Sequence, residues 1–119
     1  MALPLEGVRV LDLTSVMAGP YCTMVLGDMG AEVVKIENPP EGDTTRRFEP
    51  QVNGESYCFA VLNRNKKSLA LDLKSPRGKE IALELAARAD IVAENFRPGV
   101  VKKLGLDYEA IRARTPAVV

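Results

Sequence analysis

The sequence predicts an α/β domain, a parallel sheet with flanking helices. Two observations carry this reading. Short apolar stretches of strand length alternate with stretches of helical period, in the strand–helix–strand order that joins parallel neighbours by a right-handed crossover. The composition is that of a globular chain, 46% hydrophobic and 27% charged over 119 residues, which is room for one compact domain, 1–119.

Gly7 to Leu13 alternates apolar residues, ends at Thr14-Ser15 and predicts the first strand. Gly19-Pro20 opens a helix through Tyr21, Val25, Leu26 and Met29, with Pro20 in the first turn and Gly30 as its stop. Ala31 to Ile36 is the second strand. From Glu37 to Glu55 the pattern lapses: Pro39 and Pro40 remove donors and fix φ, and a structureless loop this long usually has a function. Val52-Asn53-Gly54 suggests a turn, and Ser56 to Leu62 is a short apolar element whose type stays open. Ser68 to Leu73 predicts a third strand. Ser75 as N-cap, Pro76 in the first turn and Ile81, Ala82, Leu85, Ala86 and Ala89 at helical spacing predict the clearest helix. Asp90 to Glu94 is a fourth strand. Short helices follow around Lys102-Lys103 and from Asp107, the latter capped by that aspartate. Pro116-Ala117-Val118-Val119 looks like the opening of a fifth strand, and suggests a piece of a longer protein.

Composition also excludes chemistries. Basic and acidic residues balance at 16 each, without the basic excess of a nucleic-acid binder. There is no histidine, which removes Ser-His-Asp and Cys-His catalysis and histidine metal sites from these residues. Cys22 and Cys58 form no CxxC pair. Both lie in apolar stretches and are expected as buried, reduced thiols in a cytoplasmic protein. No basic-then-apolar leader is visible, and no apolar run approaches the ~20 residues that span a bilayer, so no membrane is expected as a partner.

In an open parallel sheet, ligands gather at the carboxyl ends of the strands. Here those ends are Thr14 to Pro20, Glu37-Asn38 with the long loop, Asp72 to Ser75, and Glu94 to Gly99. None carries a GxGxxG or GxxxxGK[ST] phosphate loop. Charge is unevenly laid out: residues 28–55 sum to −4 and residues 63–79 to +5. The basic run is either a solvated face or, in Asn63-Arg64-Asn65-Lys66-Lys67-Ser68, a turn that offers amides and ammoniums to a phosphate. Asp12, Asp43, Asp72 and Glu94 lie near strand ends, where capping, ion pairing or exposure outweighs a catalytic reading.

Taken in order, several motifs are specific. They are Pro4-Leu5-Glu6-Gly7-Val8-Arg9-Val10-Leu11-Asp12-Leu13-Thr14, Ala18-Gly19-Pro20, Leu26-Gly27-Asp28-Met29-Gly30-Ala31-Glu32-Val33-Val34-Lys35-Ile36-Glu37, and Gly42-Asp43 with Arg46. Asn63 to Ser68, Leu71-Asp72-Leu73-Lys74, Ala89-Asp90, Glu94-Asn95-Phe96-Arg97-Pro98-Gly99 and Leu104-Gly105-Leu106 continue the series. Together they resemble the class III CoA-transferases of the CaiB/BaiF family, over nearly the whole chain.

The resemblance implies a Rossmann-like CoA-binding portion of a larger, interlocked homodimeric fold. It implies transfer of CoA from an acyl-CoA donor to a small carboxylic acid, with CoA and acyl-CoA as substrates and no permanently bound cofactor or metal. The nucleophile it implies is an aspartate beyond residue 119, which no residue here matches, so the piece alone is expected to be inactive. By position, Val16, Met17 and Ala18 fall beside the thiol arm and adenosine. Leu71, Asp72, Leu73 and Lys74, with Asn95, Phe96 and Arg97, fall beside the adenine and phosphates. Asn38 and Lys103 occupy CoA-site positions where formyl-CoA-transferase relatives carry a basic residue and an arginine, so the phosphate grip is expected to differ. An α-methylacyl-CoA racemase of the same family and a noncatalytic nucleotide-binding module remain alternatives.

Overall fold

The computed structural model describes residues 1–119. In chain order its elements are β1 (Arg9–Asp12), α1 (Ala18–Asp28), β2 (Glu32–Glu37), a 3₁₀ turn (Thr44–Arg47), β3 (Gln51–Val52) and β4 (Glu55–Ser56). They continue with α2 (Tyr57–Leu62), β5 (Lys66–Ala70), α3 (Pro76–Ala86), β6 (Ile91–Ala93), α4 (Val100–Lys103) and α5 (Tyr108–Arg112). No helix is long and apolar enough to cross a membrane.

Four strands form a parallel sheet in the order β5-β2-β1-β6. Val10 stands opposite Val33 and Ile91, and Leu11 opposite Val34 and Val92. Successive strand residues face opposite sides. Val10 and Val33 therefore pack toward Leu26 of α1, whereas Leu11 and Ile36 pack with Ala82 and Ala86 of α3. The chain runs outward from β1 through β2 to β5, then crosses back to place β6 on the other side of β1. This puts a topological switch point at the carboxyl ends of β1 and β6, where ligands bind in such sheets.

The start of α3 shows how local chemistry fixes an element. The Gly78 N–H donates to Ser75 Oγ at 2.9 Å, and Ser75 Oγ–H donates to the Asp72 carbonyl at 2.9 Å. A Cβ at position 78 would lie 1.8 Å from that carbonyl oxygen. Gly78→Ala is expected to cost about 1–3 kcal/mol by forcing the cap apart, read as a lowered thermal midpoint. An unchanged midpoint would show that the β5–α3 connection gives way freely.

Several expectations are corrected. The third strand is Lys66–Ala70 rather than Ser68 to Leu73, because Lys66 and Lys67 pair with Val33 and Val34 of β2. The ladder extends only to the Leu71 N–H, which donates to the Glu37 carbonyl at 2.9 Å, and Asp72 then turns the chain. Residues 37–55 are not structureless. Asp43 accepts from Thr45 N to start the 3₁₀ turn, and β3 and β4 form a hairpin. Its turn is Asn53-Gly54, both at positive φ (53° and 80°), the conformation a two-residue hairpin of type I′ requires. Ser56 to Leu62 is helical beyond Ser56, whose Oγ accepts from the Phe59 N–H. Cys22 is exposed and Cys58 half-buried, both free. Cys22 lies off the stripe of Pro20, Thr23, Met24 and Gly27 that α1 turns inward. Asp107 sits at the start of α5 without a capping side-chain bond. Pro116 to Val119 does not form a strand, although Val119 accepts from Val92 N of β6 and donates to the Asp90 carbonyl just before it.

Candidate functional site

At the switch point lies a cleft of ≈ 190 Å³. Leu13, Thr14 and Ser15 follow β1; Lys35, Ile36, Glu37 and Asn38 end β2; Gly42, Asp43 and Thr44 come from the next loop; Leu73 and Phe96 close it from the far strands. The apolar wall of Leu13, Ile36, Leu73 and Phe96 is continuous with the core under α3. A ≈ 310 Å³ groove elsewhere, between Arg9, Val34, Leu85 and Arg88, lies toward the opposite end of the strands.

Beneath the cleft, charges are buried in pairs. Lys35 Nζ reaches Asp43 Oδ2 at 2.9 Å with both side chains 1% exposed, and donates to the Thr14 carbonyl at 2.9 Å. Burial pushes the Asp43 carboxyl up. Hydrogen bonds from Lys35 and from the Thr45 N–H and hydroxyl outweigh burial and hold it below its ordinary value. Glu37 is gripped by Arg46 Nε and Nη2, each at 2.7 Å, by the Asp43 N–H at 2.8 Å and by the Ser68 hydroxyl. Burial raises the Glu37 carboxyl, yet the bonds from Arg46, Asp43 N and Ser68 bring it down to about 2. Arg46 also stacks over the Phe59 ring at 3.8 Å, tying α2 to this network. On the α1 side, Lys66 Nζ lies within 2.7–3.0 Å of four acceptors, Asp12 Oδ2, the Pro20 carbonyl, Thr23 Oγ1 and Asn63 Oδ1, among which its three N–H groups are shared.

The basic run does not form an anion-binding turn. Lys66 is consumed internally, Arg64 pairs with Asp28 at 2.6 Å, Asn65 donates to the same carboxylate and Lys67 pairs with Glu32. By contrast Lys74, Arg97, Lys102 and Lys103 are exposed and take part in no salt bridge. Lys74 and Arg97 directly follow the cleft residues Leu73 and Phe96.

The other sequence-derived positions divide. Asn38, Leu73 and Phe96 line the cleft. Leu71 packs against the main core, and the Asp72 carboxylate accepts from Lys74 N at 2.8 Å, turning its own loop. Asn95 folds back on Ser15, accepting from its N–H at 2.9 Å and donating to its carbonyl at 2.8 Å. Val16, Met17 and Ala18 are exposed at the entry to α1. Lys35, Glu37 and Arg46 were not among the candidate site residues. Lys35 shares a strand face with Val33, and a lysine at an inward position of a central strand is the signal that marks it.

Comparison with known proteins shows the family and the fold. The sequence profile of CoA-transferase family III matches residues 5–119. The chain is 54% identical over 117 residues to a succinyl-CoA:glutarate CoA-transferase of Mus musculus, covering 98% of this chain and 27% of that protein. It is 45% identical over 120 residues to a formyl-CoA:oxalate CoA-transferase of Bradyrhizobium sp. (strain ORS 278), covering 100% of this chain and 28% of the relative. A crystal structure of a CaiB/BaiF family protein from Brucella suis superposes with a TM-score of 0.93 at 40% identity, covering all of this chain and 32% of that one.

Proposed function

Because this chain belongs to CoA-transferase family III, we propose that residues 1–119 form a CoA-binding portion of an enzyme that moves CoA from an acyl-CoA to a carboxylic acid. The observation that carries this reading is the contrast in charge: Lys74 and Arg97 are free of salt bridges next to the cleft residues Leu73 and Phe96, and Lys103 is free on α4, while the cations of the 63–67 run are neutralised. Free ammonium and guanidinium groups suit the phosphates of CoA, and the wall of Leu73 and Phe96 suits an adenine or the pantetheine arm.

The nucleophile in this proposal is an aspartate outside residues 1–119, which attacks the thioester carbonyl and expels the CoA thiolate, giving a mixed anhydride. The thiolate then attacks the aspartyl carbonyl, releasing the donor acid and leaving an aspartyl-CoA thioester; the acceptor carboxylate displaces CoA from it as a second anhydride, which the thiolate cleaves at the acceptor's carbonyl to free the aspartate. The two buried aspartates here support that assignment. Asp12 accepts from Thr14, Thr23 and Lys66, and Asp43 from Val16, Thr45 and Lys35, leaving neither positioned to attack a substrate. The proposal extends to an interlocked homodimer in the cytoplasm. Exposed Tyr21, Tyr57 and Val61 on α1 and α2 support a further body packing there.

Calorimetric titration of the chain with CoA tests the site. Replacing Lys74, Arg97 and Lys103 together by alanine is expected to weaken binding about tenfold or more, with a reduced dependence on salt. The R64A/K67A pair is expected to leave affinity unchanged. Failure of the chain to bind CoA, or equal affinity for ATP or inorganic phosphate, would overturn the reading.

A further inference from the structure

The turn after β1 is unusual in how its backbone is satisfied. Thr14 N donates to Asp12 Oδ1 at 2.9 Å, and the Thr14 carbonyl accepts from Lys35 Nζ at 2.9 Å. Both polar backbone groups of Ser15 are taken by the Asn95 amide. Val16 N donates to both Asp43 oxygens at 3.3 Å. From Thr14 N to Val16 N, every backbone polar group is thus held by a side chain, drawn from β1, β2, the loop after β2 and the loop after β6. Val16 itself has φ +72°. For a β-branched residue that conformation is a genuine outlier and persists only where the surroundings over-determine it.

We propose that Asp43 is a positioning residue for the CoA site, pinning the Val16 N–H so that the chain leaves Ser15 at the cleft rim left-handed and enters α1 at Ala18 in one fixed direction. Lys35 and Thr45 hold the Asp43 carboxylate in place, and Asn95 fixes the preceding peptide from the other side. Asn95 therefore acts through Ser15, and the Val16 N–H is spent on Asp43 rather than on a ligand. The proposal rests on the reading of this loop as part of a CoA site.

The test exploits glycine, which takes positive φ without strain. Asp43→Asn in this chain is expected to weaken CoA binding about tenfold, because an unpinned Val16 leaves the left-handed region. Adding Val16→Gly is expected to recover most of that loss. A D43N defect that V16G does not rescue, in a chain that still folds, overturns the proposal. If D43N does not fold, amide hydrogen exchange in the native chain decides: the Val16 N–H is expected to be protected as strongly as β1 amides, and free exchange there overturns the clamp. If the native chain fails to bind CoA while Val16 is protected, the CoA reading falls, and with it the positioning role, leaving the clamp as a structural feature only.

Discussion

Replacing Asp12 by alanine is expected to cost about 3–5 kcal/mol, a large part of the stability of a chain this size. Asp12 is wholly buried at the end of β1, and it partners Lys66, whose side chain is 2% exposed. Burial pushes the Lys66 ammonium below its ordinary pKa, with Asp12 opposing. Removing the carboxylate leaves a charge inside the protein with only neutral acceptors, Pro20 O, Thr23 Oγ1 and Asn63 Oδ1. It also strips the acceptor from Thr14 N. Asp12→Asn keeps the shape and part of the bonding, and is expected to cost less. The D12A/K66M double variant is expected to recover much of the D12A loss, since the penalty lies in the unpaired charge more than in the missing contact. Urea denaturation of the four proteins reads all of this. A D12A midpoint within error of the native one would mean that Lys66 escapes to solvent when Asp12 is gone.

That buried pair also marks the limit of what the sequence makes legible. Alternation gave β1, an apolar run straight after the Gly30 stop gave β2, and the Ser75-Pro76 cap gave α3, because these signals are local: a pleat, a cap and a helical stripe are written within a few residues of where they act. Lys74, Arg97 and Lys103, with Leu73 and Phe96, were singled out only through the family resemblance, as positions expected beside CoA. What failed was long-range. Lys66 reads as a surface lysine in a turn, because its partner Asp12 is 54 residues away and only the sheet order brings them together. The start of β5 was displaced for the same reason. Glu37 and Asp43 sit among prolines, glycines and charges that read as an unstructured loop. Their order comes from Arg46, Lys35 and Ser68, which belong to three different segments. Asn95 was singled out through the family resemblance alone; its amide holds the Ser15 backbone, which only the β1–β6 pairing brings near.

Acid is expected to loosen the same end of the sheet, and the sign follows from Glu37. Its folded carboxyl is held at about 2, against 4.5 for an ordinary glutamate. A depressed carboxyl stabilises the fold fully above the unfolded value, and that contribution disappears as pH falls toward the folded one. Lowering the pH from about 6 to about 3 should therefore remove about 2 kcal/mol through Glu37, rising to roughly 3 kcal/mol by about pH 2. Asp43, also held below its ordinary value, adds to the loss in the same direction. Glu37→Gln is expected to lower stability near neutrality, because Arg46 loses its charged partner, and to flatten the acid limb of the curve. Urea midpoints across this pH range test the pair of expectations. A native curve as flat as that of E37Q would show that Arg46 and Ser68 do not grip Glu37 in solution. Since Glu37 also accepts from the Asp43 N–H, an acid limb that steepens together with loss of Val16 protection would tie the carboxylate network to the turn above it.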